Sequence, residues 1–299
     1  MILLAAFACL AMAACPGGAH NPTQPASVSE TPQSSSPAVP PVVLIGAGDI
    51  ASCNNRGAQA TATILDQVDG IVFTTGDNVY ETGTPDEFAK CYEPTWGRHK
   101  GRTRPSPGNH DMYSGGAGYY NYFGDSAGPP GRGYYSYDHG AWKVFALNSE
   151  APAGPGSPQA VWLQQELQAS RAQCTVAYWH HPVFSSGYEG NMSRMKHVWR
   201  LLYEHRVELV LSGHSHNYER LAPQDADGER DVARGIRMFV VGTGGNGFTA
   251  LEGIRANSEA INDTSLGLLK LTLASGSYTW EFLPVAGSSY RDSGAGTCF

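Results

Sequence analysis

Five short pieces of this chain carry metal-ligand side chains, and each stands where a strand is expected to end: Gly48-Asp49, Gly76-Asp77-Asn78-Val79-Tyr80, Gly108-Asn109-His110-Asp111, His180-His181-Pro182 and Gly213-His214-Ser215-His216. In an open α/β sheet the C-terminal strand ends share one edge, and that edge is where ligands bind. The repetition constrains the chain to an α/β architecture in which side chains from Asp49 to His216 converge on one site.

The runs between the pieces support this. Residues 41–48 and 71–75 are continuous and apolar, as in strands buried on both faces. A helix expected over 58–67 joins them in the β-α-β rhythm of a parallel sheet. Residues 82–133 are looser, with a short helix expected at 86–92. Residues 134–137 and 142–147 read as an antiparallel pair, with Asp138-His139-Gly140 in the turn. Ser157-Pro158 opens a helix over 157–171, where Ala160, Leu163 and Leu167 fall at helical spacing. Strands at 175–179 and 207–211 lead to His180 and His214, and Met195, Val198, Trp199 and Leu202 form a helical stripe between them. Strands at 236–241, 266–273 and 277–283 follow, the last two joined at Ser275-Gly276. Two strand-rich halves flanked by helices predict a two-sheet sandwich covered by helices.

The N-terminal segment reads differently. Residues 2–12 are an apolar run of signal-peptide length, short of the roughly 20 residues that span a bilayer. Met12-Ala13-Ala14-Cys15 resembles a bacterial lipobox with Cys15 as the acylated residue; cleavage near Ala13 or Ala14 is the alternative. The expectation is an exported chain, either a cell-surface or periplasmic lipoprotein with an N-terminal lipid anchor or a secreted protein. Residues 16–41 are rich in Pro, Ser, Thr, Gly and Ala and cannot bury enough surface to offset their ordering entropy, so they read as a flexible tether. Residues 42–299 are then one domain.

A net charge of −7 with no basic block argues against a nucleic-acid or anionic-membrane surface. Beyond the leader, Cys53, Cys91, Cys174 and Cys298 have no C-x-x-C spacing, and export makes disulfides the default. Of three pairings, Cys53 with Cys91 and Cys174 with Cys298 is favoured. Nothing in the sequence fixes an oligomeric state.

A dinuclear hydrolase needs oxygen and nitrogen donors around two ions about 3.5–4 Å apart, one donor being shared. Carboxylate and phenolate suit a hard ion such as Fe³⁺, whereas imidazole and amide oxygen suit Zn²⁺, Fe²⁺ or Mn²⁺. Asp49, Asp77, Tyr80, Asn109, His180, His214 and His216 supply that mixture.

The five motifs, in this order over residues 42–247, resemble the metallophosphoesterases and, within them, the exported purple acid phosphatases of bacteria. The resemblance implies a four-layer α-β-β-α sandwich with mixed sheets and a dimetal site at the C-terminal strand ends. It implies Fe³⁺ on Asp49, Asp77, Tyr80 and His216, and Zn²⁺, Fe²⁺ or Mn²⁺ on Asp77, Asn109, His180 and His214, with Asp77 bridging. His110 would contact phosphate and protonate the leaving group. The broader superfamily opens with Asp-x-His; here Ala51 takes the third position and Tyr80 replaces the missing imidazole, the purple-phosphatase substitution. A tyrosinate on Fe³⁺ would give a visible charge-transfer band. The implied reaction is direct hydrolysis of a small phosphate monoester by a metal-bound hydroxide, without a phosphoenzyme. The alternatives are a phosphodiesterase or nucleotidase using the same metals, and a metal-containing surface protein that binds without turnover.

Several motifs have plainer readings. His181 competes with His180 for the ligand role, although His180, two places before Pro182, is the better match. Residues 184–191 offer no further histidine to grip the ester group. His20, His99, His139, His197 and His205 belong to no motif and read as surface or cap residues. Gly242-Thr243-Gly244-Gly245-Asn246-Gly247 matches G-x-G-x-x-G, but no helix pattern follows, so a glycine-rich loop near the metal edge is expected rather than a dinucleotide site. Tyr113, Tyr119, Tyr120, Tyr122 and Phe123 serve either a substrate mouth or core packing.

Overall fold

A computed structural model of the chain describes residues 17–18, 39–188 and 190–299. The leader with Cys15, His20 and most of the tether lie outside the described residues. The chain runs through β1 (Val42–Ala47), α1 (Gly57–Leu65), β2 (Ile71–Thr75), α2 (Pro85–Glu87), β3 (Thr103–Ser106), α3 (Asn109–Met112) and α4 (Ala117–Phe123). It continues through β4 (Tyr135–His139), β5 (Trp142–Ala146), α5 (Pro158–Ala169), β6 (Cys174–Tyr178), α6 (Lys196–Glu204) and β7 (Leu209–Ser212). The last strands are β8 (Tyr218–Leu221), β9 (Arg237–Val241), β10 (Ser258–Asn262), β11 (Gly267–Ala274), β12 (Ser277–Pro284) and β13 (Ser293–Thr297).

Two mixed sheets result, a six-stranded one in the order β13-β12-β11-β1-β2-β3 and a seven-stranded one in the order β10-β8-β9-β7-β6-β5-β4. β1, β2 and β3 run parallel in the first, and β5, β6, β7 and β9 run parallel in the second. Period-two alternation sets the layers. Along β6, Val176 and Tyr178 turn toward the first sheet while Ala177 turns toward Leu163 of α5 and Trp199 of α6. Rings interdigitate between the sheets, with Phe73 at 5.7 Å from Tyr178, Phe239 at 5.8 Å from Trp280 and Tyr218 at 4.6 Å from Phe282. α1 buries Ala58, Ala62 and Leu65 and packs against β11 of the first sheet. The chain is therefore a four-layer α-β-β-α sandwich, as expected.

Local chemistry places the helices. Ser157 caps α5 by accepting from the Ala160 amide, with Pro158 in the first turn. α6 buries Val198, Trp199 and Leu202, the apolar stripe, each contributing about 1.5–3 kcal/mol by burial. Gly276, at φ 77°, makes the two-residue turn between β11 and β12.

The disulfides are Cys53–Cys91 and Cys174–Cys298, the favoured pairing and one suited to an oxidising compartment. Cys174 begins β6, at the opposite end of that strand from His180, so the second bond ties the base of one sheet to the edge strand of the other. His139 ends β4 rather than sitting in the turn. Among the described residues no helix is long and apolar enough to cross a membrane.

Candidate metal centre

Every motif lies just past the C-terminal end of a strand: Asp49 after β1, Asp77 and Tyr80 after β2, Asn109 after β3, His180 after β6, and His214 and His216 after β7. Because these strands run parallel within each sheet, the loops meet on one edge. Asp49, Asp77 and His214 themselves adopt left-handed φ values of 59°, 49° and 68°, strain of the kind found at functional sites. Of the glycines preceding the four motif ligands, Gly76 alone has a positive φ. Gly108 and Gly213 are needed for room, since a Cβ would stand 2.2 Å from Asp77 Oδ1 at the first and 2.6 Å from Asp49 Oδ2 at the second.

All seven expected residues are brought together, in two sets. In the first, the Tyr80 hydroxyl lies 2.9 Å from Asp49 Oδ1, 3.0 Å from Asp77 Oδ2 and 3.2 Å from His216 Nε2. His216 Nε2 is 3.2 Å from Asp49 Oδ1. In the second, His180 Nε2 lies 3.0 Å from Asn109 Oδ1, 3.2 Å from His214 Nδ1 and 3.3 Å from Asp77 Oδ2. One carboxylate oxygen, Asp77 Oδ2, belongs to both.

The electrostatics of the bare donor set favour a cation. Asp49 and Asp77 are buried, and among the described residues their ion-pair partners are histidines, with no Lys or Arg. Burial opposes the charge of each carboxylate, but His216 beside Asp49 and His180 beside Asp77 outweigh it and hold both below the usual range. Burial likewise opposes charge on His180, yet Asp77 outweighs it and lifts that imidazole to about 10. Partial burial, and then His180 beside it, push His214 down to about 3. Burial, then Asp49 and Asp77, push the Tyr80 phenol well above its ordinary value. Buried carboxylates with no Lys or Arg partner among the described residues, ringed by imidazole, carboxamide and phenol, are the donors of hard and borderline metal ions. Asp49, Asp77 and His180 form one group close enough to hold an ion, and His180, His181 and His214 another.

A second ring of contacts aims these donors. His180 donates through Nδ1 to the Thr75 carbonyl at 2.8 Å, leaving Nε2 for the site. His110 donates through Nδ1 to the Glu81 carbonyl at 2.6 Å, and its Nε2 stands 3.9 Å from Asp77 Oδ2. His181 is turned away from Asp77: its Nδ1 meets Glu150 at 2.8 Å and the Ser149 hydroxyl at 3.0 Å, while its ring lies 4.2 Å from that of His214. His180 Nε2 thus faces Asn109 and Asp77, whereas His181 Nδ1 faces Glu150.

Three contacts escaped the sequence reading: Asp111 beneath the Asp77 loop, Glu150 on His181, and Tyr113, whose hydroxyl accepts from Asn109 Nδ2 at 2.8 Å. The last had a signal, since Asn109 and Tyr113 are spaced i, i+4 on one helical turn. Of the aromatic cluster, Tyr119 and Phe123 are core, and Tyr113 is exposed. The glycine-rich loop lies at the metal edge, with Asn246 N donating to Asp49 O at 2.9 Å, and no helix follows it.

Residues 43–218, more than half of the 299-residue chain, match the family described as Calcineurin-like phosphoesterase. The chain belongs to that family. This calcineurin-like phosphoesterase is 29% identical over 134 residues to an acid phosphatase of Aspergillus ficuum, covering 38% of this chain and 22% of the fungal protein. It is 33% identical over 97 residues to probable purple acid phosphatase 20 of Arabidopsis thaliana, covering 30% and 23%. The matched stretch is thus under a quarter of either relative. Purple acid phosphatase PPD1 from yellow lupin, Lupinus luteus, shares its fold, with a TM-score of 0.70 at 18% identity over 87% of this chain and 54% of the lupin chain. The chain is a metallophosphoesterase resembling purple acid phosphatases.

Proposed function

We propose that this chain is an exported dinuclear-metal phosphatase that hydrolyses small phosphate monoesters. The observation that carries the proposal is Asp77 Oδ2, which stands at once 3.0 Å from the Tyr80 hydroxyl and 3.3 Å from His180 Nε2, so that Asp77 would serve both ions. Asp49, Asp77, Tyr80 and His216 would hold Fe³⁺. Asp77, Asn109, His180 and His214 would hold Zn²⁺, Fe²⁺ or Mn²⁺. When bound, the ions supply charge neutralisation for the phosphoryl oxygens and activation of water near neutral pH.

The chain's own residues do the rest. His110, fixed by Glu81 and flanked by the Tyr80 ring at 4.3 Å, presents Nε2 to the space over Asp77, where it can protonate a departing alkoxide. Glu150 and Ser149 hold His181 beside the second set. Residues 16–41 would tether the domain, with Cys15 as the lipid anchor or, after plain cleavage near Ala13 or Ala14, at or near the start of the mature chain.

Metal analysis on purified protein, paired with a panel of monoesters and diesters, tests this reading. Two equivalents of metal with preferred monoester turnover support it. Diester preference would assign a phosphodiesterase, and no turnover with metals bound would assign a binding protein. Asp77→Ala should lose both ions and, with several kcal/mol of charge stabilisation gone, roughly a thousandfold in kcat/KM.

A further inference from the structure

Tyr113 caps the short helix α3 and is 62% exposed, although it stands at the site. Its hydroxyl accepts from Asn109 Nδ2 at 2.8 Å, which turns Asn109 Oδ1 toward His180 Nε2 at 3.0 Å. Its ring lies 4.8 Å from that of His110, while Tyr80 flanks the same imidazole at 4.3 Å. An exposed aromatic ring is thus pinned at one end by the carboxamide of a metal-site residue and set beside the group assigned to the leaving oxygen.

We infer that Tyr113 is a specificity-determining and positioning residue: its hydroxyl orients the Asn109 carboxamide, and its ring forms a preset wall against which the flat aromatic leaving group of a phosphate monoester packs. This rests on the phosphatase reading above. A carboxamide has one acceptor and one donor end, and only the oxygen can ligate a cation. A hydroxyl on the donor end therefore selects the productive orientation without touching the ion. A leaving group departing past His110 must pass the Tyr113 face. A planar ring gains offset or edge-to-face contact there that a puckered one lacks.

Benzyl phosphate and cyclohexylmethyl phosphate test the wall, because both leave as primary alkoxides of the same length and differ in the flatness of the ring. The zinc-loaded protein should prefer the benzyl ester by roughly three- to tenfold in kcat/KM. Tyr113→Ala should bring the ratio close to one, whereas Tyr113→Phe should keep it. Zinc affinity at the weaker site, read by competition with a chromophoric chelator and without substrate, tests the pin: Tyr113→Phe should lose about ten- to a hundredfold. A benzyl preference unchanged in Tyr113→Ala overturns the wall, and unchanged zinc affinity in Tyr113→Phe overturns the pin. Wild-type protein that takes up no metal or cleaves neither ester fails at the phosphatase reading itself and removes the inference with it. Protein that binds two ions and cleaves both esters equally leaves that reading standing and overturns this one.

Discussion

Asp111 grips Asn78 at three points, accepting the Asn78 amide on both carboxylate oxygens at 3.0 and 3.1 Å and Asn78 Nδ2 at 2.9 Å. It also takes the Gly108 amide at 2.9 Å, so one buried carboxylate joins the loop bearing Asp77 to the loop bearing Asn109. Asp111→Ala would leave the Asn78 and Gly108 backbone amides buried without this partner, at about 1–3 kcal/mol each, and Asn78 Nδ2 with the Ser106 carbonyl alone. Destabilisation of about 3–5 kcal/mol in urea unfolding is expected, with at least tenfold weaker zinc binding in the fraction that folds. Asp111→Asn, keeping one oxygen, should lie between.

Tyr80→Phe separates the two proposed ions. The ring can still pack against His110, but the hydroxyl that reaches Asp49, Asp77 and His216 is gone. Iron-loaded wild-type protein should be coloured and the variant colourless, with absorbance and iron content measured on the same sample. Colour retained at full strength would remove Tyr80 from the ligand set.

Glu208 offers a pH test far from the metal edge. Its buried carboxylate accepts the Thr175 amide at 2.7 Å and the Phe299 amide at 3.3 Å, and burial outweighs these bonds to raise it to about 7. The folded state therefore holds this proton more tightly than the unfolded chain, whose Glu titrates near 4.5. Stability from this group is fully present below pH ~4.5 and is lost as pH rises through ~7, an effect of at most about 3 kcal/mol. Melting temperature should fall across that window in wild type, and Glu208→Gln should flatten this contribution. An identical slope in both proteins would assign the dependence elsewhere.

Cys174–Cys298 closes a separation of 124 residues, and Cys53–Cys91 one of 38. On chain entropy the longer loop restricts the unfolded chain more, so Cys298→Ala should destabilise by about 2–5 kcal/mol and by more than Cys53→Ala. Chemical denaturation of the two variants, compared without reductant, checks the order.

How legible the molecule was depends on where the information sits. The convergence of the candidate ligands was readable because each follows the end of a strand and carries its neighbours with it, as in Gly213-His214-Ser215-His216. The β13 strand was not, since Ser293–Thr297 has no apolar alternation. It pairs with β12 because Gly294 and Gly296 let the backbone lie under Trp280 and Tyr278, where a Cβ would stand 2.2 and 2.3 Å from the rings. β3 was hidden by Pro105, which lacks an amide hydrogen and is tolerated because this strand is at the sheet edge. Asp111 was quoted in its motif without a role, because its worth lies in amides of another loop that a linear sequence does not display.

Each of the two donor sets draws on both sheets. Asp49, Asp77 and Tyr80 come from the first and His216 from the second; Asp77 and Asn109 come from the first and His180 and His214 from the second. Neither half of the chain alone presents a complete nest for a cation. Ions captured there would act as bolts through the sandwich, fastening at the top what Cys174 and Cys298 fasten at the base, and their tightness would add to the cohesion of the two halves by mass action. Loading would then wait until the sheets had docked, so that a filled centre certifies a finished molecule.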